Sequence, residues 1–139
     1  MGLMIGLLAP LEEPLTTTGN VSQDLEYAYR MDQTDRLNLK FFIPAFRTQM
    51  RGRDSLRQNQ VLDYRKAGKI SKGREMFYAA FVLHHNPEKD SLLYREAHEL
   101  AHSAASEPGL TDDFQVQWLS KATYDRWMLS IGKEQEYDT

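Results

Sequence analysis

The 139-residue chain has no cysteine. That excludes disulfides, thiolate catalysis, iron–sulfur clusters and thiolate-bound zinc. Any metal would need histidine and carboxylate ligands. Strand signals are missing too: there is no sustained apolar–polar alternation, no Asn-Gly hairpin turn and no buried parallel-sheet run. No apolar stretch is long enough to span a bilayer. Neither sign of charge dominates, and a formal net charge of -3 gives no overall pull toward nucleic acid or an anionic membrane. Nucleic acid is not expected as a partner, and no membrane span is expected.

What is present describes a single soluble domain. A hydrophobic fraction of 41% and a charged fraction of 27% suit one globular core, and the length is too short for two ordinary domains. Residues 1–10 are apolar but lack the basic region of a secretory signal. Residues 12–20, with Pro14, three threonines and Gly19, read as a linker. The expected organisation is an apolar arm and linker over 1–20 and a single helical domain over 21–139. The expected compartment is the cytoplasm, with an exported form if the arm is the remnant of a signal.

Five helical segments follow. Asn20, with Gln23 three residues on, has the pattern of a helix start. Val21, Leu25, Ala28 and Tyr29 then recur at helical spacing, and Pro44 is expected to end or kink this helix. Asp54 is expected to cap a second helix carrying Leu56, Val61 and Tyr64, stopped by Gly68. A third, Arg74 to His84, carries an apolar run from Met76 to Leu83. Asp90 caps a fourth, whose Leu93, Ala97, Leu100, Ala101 and Ala104 form the cleanest amphipathic stripe. A fifth, Phe114 to Ile131, starts at Thr111 or Asp112 and is closed by Gly132. The expected fold is all-α: a compact bundle of about five helices around a central antiparallel hairpin of the third and fourth. The hairpin resembles one helical-repeat unit, though no second copy occurs at a fixed period. The expected core includes Leu93, Ala97, Leu100, Ala101, Phe81, Trp118 and Leu119.

All four histidines, His84, His85, His98 and His102, fall in one short stretch. His98-Glu99-Leu100-Ala101-His102 reads H-E-x-x-H. In zinc hydrolases such histidines share a metal, and the glutamate activates its bound water. Four features oppose that reading. No histidine lies downstream to complete the shell, Asp125 being the one helical carboxylate at a workable separation. Glu96 adds a charge just before the motif. No edge strand precedes it to hold a substrate. At about 100° per residue, His98, Glu99 and His102 point away from the apolar stripe. A di-iron site would need a second Glu-x-x-His, which is absent. No cofactor is expected, and zinc on His98, His102 and Glu99 is the alternative. His84-His85 closes a helix, where the dipole favours a cation.

Arg47 to Arg74 is a local basic segment that suits a solvated face, or a phosphate, a carboxylate ligand or an acidic partner. Asp32, Asp35, Arg36, Asp54, Arg57, Asp125 and Arg126 sit beside apolar positions in three helices. Such pairs form interhelical bridges or line a polar pocket.

Several short patterns occur together: Asp32-Gln-x-Asp35-Arg36, Arg53-Asp54-x-x-Arg57-x-x-x-Val61, Ala79-Ala80 with His84-His85, and Ala97-His98-Glu99-Leu100-Ala101. Trp118-Leu119, Tyr124-Asp125-Arg126-x-x-Leu129 and Gly132-x-x-Gln135-x-Tyr137 follow them. In order and spacing, from about Asp32 to Thr139, the chain resembles a family of small bacterial proteins, a domain of unknown function with a C-terminal Gln-x-Tyr/Phe-Gly-Thr-Gln tail. Here the tail has Asp138 in place of the glycine and no final glutamine. The resemblance implies that Ala97 to Ala101 is the recurring element, without His102. It implies no reaction.

The expected function is a helical module that binds a partner protein or small ligand through a polar surface of His84, His85, His98, Asp125, Arg126, Gln135 and Tyr137. The alternative is the zinc-dependent hydrolase at 98–102. Whether the chain is an enzyme stays open at this point.

Overall fold

A computed structural model describes residues 11–139; the apolar arm expected over 1–10 lies outside them. Among the described residues there are five α-helices and no strand, as the spacing leads one to expect. The helices are α1 (Val21–Leu37), α2 (Arg47–Lys66), α3 (Gly73–His84), α4 (Ser91–Ala105) and α5 (Phe114–Ser130). None is long and apolar enough to cross a membrane.

The caps explain the boundaries. The Asn20 side chain accepts from the Gln23 N–H and starts α1. The helix ends at Leu37, well short of Pro44. Asn38 turns extended there, and its side chain accepts from Lys40 N–H to open a 3-10 turn over Leu39–Phe42. A second turn, Pro44–Phe46, uses the fixed φ of proline to lead into α2. Asp54, expected as a cap, lies in the interior of α2 instead. Its carboxylate is engaged by arginines, so it has no role at a helix end. Gly68, at φ +70°, ends the helix as expected. Asp90 caps α4 through the Leu92 N–H, and Asp113, rather than Thr111 or Asp112, caps α5 through the Val116 N–H.

Helix α3 is the hub and packs on all four of the others. Its residues are apolar nearly all round, as a helix enclosed on every side requires. Ala79 and Ala80 on α3 and Ala97, Ala101 and Ala104 on α4 are buried in one cluster where the two antiparallel helices pack, and such small side chains suit a close approach. Leu25 and Ala28 of α1, Val61 of α2, and Val116 and Leu119 of α5 close the core. Of the expected core, Ala97, Leu100, Ala101 and Leu119 are buried, while Phe81 and Leu93 are half-buried. Trp118 is a correction. It is 43% exposed, because α5 is apolar over more of its circumference than α3 and α4 can cover.

The segment expected to be a linker is tied down. Tyr27 donates to the Glu13 carbonyl, Gln60 to that of Thr16, and Arg57 to that of Pro14. The Thr18 N–H and hydroxyl both donate to Asp24. Residues 13–18 therefore form a strap across α1 and α2.

Candidate functional site

Where α1 and α2 meet, the core gives way to charge. Asp32, Asp35 and Arg36 lie within two turns of α1, and Arg53, Asp54 and Arg57 occupy one face of α2. Arg36 makes a bidentate pair with Asp54, at 2.8 Å to each oxygen, and reaches Asp32 at 2.9 Å. Arg57 is fully buried and donates to Asp35 at 2.7 Å and to Asp54 at 2.9 Å. Arg53 donates to Asp35 at 2.8 Å. Burial pushes the Asp54 carboxyl up, but Arg36 and Arg57 outweigh it and hold it below the ordinary carboxylate range. Three carboxylates and three guanidiniums thus neutralise one another inside the protein.

His85, just past the end of α3, is drawn into this network. Its Nδ1 lies 2.9 and 3.0 Å from the two oxygens of Asp32, which is 1% exposed. A carboxylate only accepts, so Nδ1 carries the proton, and in the neutral ring Nε2 is left with its lone pair. His85 also packs edge-on against Phe81.

The open side of the network faces a cleft of about 550 Å³. That volume is typical of small-molecule sites. Arg36, Asp54, His84 and His85 contribute its inner polar groups. Phe41, Phe42, Met50 and Tyr94 form apolar walls, and Arg47, Lys89 and Arg126 bring positive charge to it. Neither Arg47 nor Arg126 has an ion pair among the described residues, and both are exposed. The partly buried His84 sits beside them. Burial, then the neighbouring His85 ring and the positive charges of Arg126 and Arg36, push its imidazole down to about 3, so it is neutral. Its buried Nδ1 has no hydrogen-bond partner.

His84 and Arg126 also border a smaller cavity of about 80 Å³, lined by Asp125, Gln135 and Thr139. Here the C-terminal residues fold back onto α5. The Glu136 and Tyr137 N–H groups donate to Asp125 Oδ1, and the Thr139 N–H and hydroxyl donate to Oδ2. Burial alone would raise the Asp125 carboxyl. The four donors outweigh it and pull the value down to about 2. Both oxygens are consumed, so Asp125 anchors the tail. Asp138, where the resembled pattern has glycine, adopts φ +55°, the left-handed region that favours glycine.

The histidines of the H-E-x-x-H segment lie elsewhere and line neither cavity. His98 is covered by α5. Its ring stacks on Trp127 at 5.9 Å and meets Tyr124 edge-on at 5.3 Å. Its Nδ1 is 3.2 Å from the Ser120 carbonyl, which an N–H there satisfies. Burial pushes its imidazole below the ordinary histidine value, and the Ser120 carbonyl works against that. His102 is exposed, with its ring centroid 5.7 Å from that of His98. Glu99 faces Arg95 and Arg65 at 3.5 and 3.7 Å. Among the described residues no three His, Asp or Glu side chains converge as a metal shell requires. Tyr137 packs edge-on against Tyr124, away from the cleft.

The structure therefore brings together His84, His85 and Arg126, and it sets His98 and Tyr137 apart. Sequence reading missed Asp32 as the partner of His85, and it missed the walls Phe41, Phe42, Met50 and Tyr94. The one available signal was the i, i+3 and i+4 spacing of Asp32, Asp35 and Arg36 with Arg53, Asp54 and Arg57, which puts each set on one face. No protein-family model, curated protein or solved structure matches the chain.

Proposed function

We propose that the chain is a binding module for a small organic anion, held in the cleft between the start of α2 and the end of α3. The observation that carries this reading is a contrast in pairing. The arginines of the buried network each have a carboxylate, whereas Arg47 and Arg126 at the cleft have none. A phosphate or carboxylate would supply the missing charge. The walls of Phe41, Phe42, Met50 and Tyr94 would cover a carbon skeleton. The neutral His84 ring lines the same cleft.

We also propose that the chain belongs to the bacterial family it resembles. Support comes from placement: Asp32, Asp35, Arg36, Arg53, Asp54 and Arg57, far apart in sequence, meet in one network, and the Asp125 and Gln135–Thr139 patterns meet in another.

Calorimetric titration with phenyl phosphate and inorganic phosphate tests the binding reading. Phenyl phosphate should bind more tightly than phosphate, because the apolar walls add burial. The double variant Arg47→Ala/Arg126→Ala should weaken it by about tenfold or more, roughly 1.4 kcal/mol. Absence of binding of either probe at millimolar concentration would refute the assignment.

A further inference from the structure

Binding an anion needs positive charge; it does not need an imidazole with one nitrogen fixed by a buried carboxylate. His85 has that arrangement. Asp32 fixes the proton on Nδ1, and Nε2 makes no hydrogen bond among the described residues, in a ring that lines the cleft. This is how a protein presents an imidazole lone pair in a set direction. We propose that His85 Nε2 is a phosphoryl acceptor, and that the cleft takes an acyl phosphate or a phosphoanhydride and transfers its terminal phosphoryl group to this nitrogen. The inference rests on the anion-binding reading of the same cleft.

The chemistry balances without a further reactant. The Nε2 lone pair forms the N–P bond as the P–O bond to the leaving group breaks. The electrons of that bond depart on the leaving oxygen as carboxylate or phosphate. The Nδ1 proton stays in place, and the positive charge that the ring acquires is offset by Asp32. Water then attacks phosphorus, the N–P bond breaks, and the ring recovers its lone pair as inorganic phosphate leaves. Phosphoryl transfer through a loose transition state asks for positioning and charge more than for a strong base. Arg47 and Arg126 supply unspent charge for the phosphoryl oxygens.

The neighbouring ring narrows the substrate. The His84 and His85 centroids are 5.7 Å apart, and His84 is neutral at physiological pH. It is not an imidazolium that could protonate a departing alkoxide. The leaving group must therefore be stable as an anion, which favours an acyl phosphate or anhydride over an alkyl phosphate.

The test is to incubate the full chain with acetyl phosphate and map the modification by mass spectrometry under alkaline conditions, with 31P NMR to identify a phosphoramidate. A phosphoryl group on His85 is expected, stable to base and lost in acid, and absent from His85→Asn. Asp32→Asn, checked for folding by circular dichroism, should slow labelling by about tenfold or more, the usual scale for removing a carboxylate that orients an imidazole. Label on His98 or His102 instead of His85, or equal labelling in urea, would overturn the proposal as unselective chemistry. Phenyl phosphate binding without any label on His85 would overturn the transfer and leave the binding site standing. Failure of both would remove the two readings together.

Discussion

Two helix interfaces in this protein are built from opposite materials. Between α3 and α4 the interface is apolar and rich in alanine, with Ala79, Ala80, Ala97, Ala101 and Ala104 all buried. Between α1 and α2 it is aspartate on arginine, with Arg57 as buried as any alanine. The first interface stabilises through area and close packing, and each contact is cheap to form. The second removes six ionised groups from water, and their attraction offsets that cost only because every one has a partner. Apolar packing accepts many arrangements of similar volume, whereas the charged network accepts one. That difference explains why the site lies where it does. The network fixes Asp32, and through it His85, at the edge of a cleft.

The comparison can be broken most sharply at Arg57. Arg57→Ala leaves Asp35 and Asp54 buried with fewer partners and should cost about 3–5 kcal/mol. Chemical denaturation measures it, and a loss under about 1 kcal/mol would show that the network is no more than a surface cluster. Leu100→Ala probes the apolar side and should cost about 2–5 kcal/mol as a cavity. Because contacts on that side are independent, its effect should add to that of a distant core variant, while Arg57→Ala and Asp54→Ala should be far from additive.

The tail anchor is a third, smaller version of the charged interface. The Asp125 carboxyl lies below its ordinary value of 3.8, at about 2. A lowered carboxyl stabilises above the unfolded value and loses that contribution as pH falls through the folded one. It should contribute about 2–3 kcal/mol near neutrality, fading between about pH 5 and pH 1. Melting curves of Asp125→Asn should therefore converge on those of the unaltered protein in acid. A gap that persists at about pH 1 would assign the loss to something other than the charge.

The histidines of the H-E-x-x-H segment sharpen the contrast at the low end. His98→Ala removes a ring packed on Trp127 and bonded to Ser120, and should cost about 1 kcal/mol. His102→Ala is an exposed change and should stay within about 0.5 kcal/mol. Equal large losses that added zinc restores would reinstate the hydrolase alternative. One change should be a gain: Asp138→Gly relieves a left-handed conformation, for up to about 1 kcal/mol.

The five helices were legible because their signals are local. Asn20, Asp90 and the apolar run from Met76 to Leu83 act within a turn or two of themselves, and so does the alanine stripe of α4. Pro44 and Asp54 misled because each has a strong local preference that a neighbouring segment overrode. Asn38 capped a turn before Pro44 was reached, and Arg36, some eighteen residues away, took the Asp54 carboxylate. Trp118 misled because hydrophobicity reports the wish for burial, not the supply of a covering surface.

Sequence alone determined the helical class, the order of the elements and the α3–α4 hairpin. It also determined that Glu99 and His102 point away from the apolar stripe. Each follows from spacing along one chain segment, where the 3.6-residue period sets which side chains share a face. Only the tertiary structure decided that Asp32 holds His85, that Asp125 is spent on the tail, and that Arg47 and Arg126 meet at one cleft. Those outcomes depend on which faces of different helices come together. A charge in the sequence carries its sign but not its partner, and the partner decides whether it is a strut or a site.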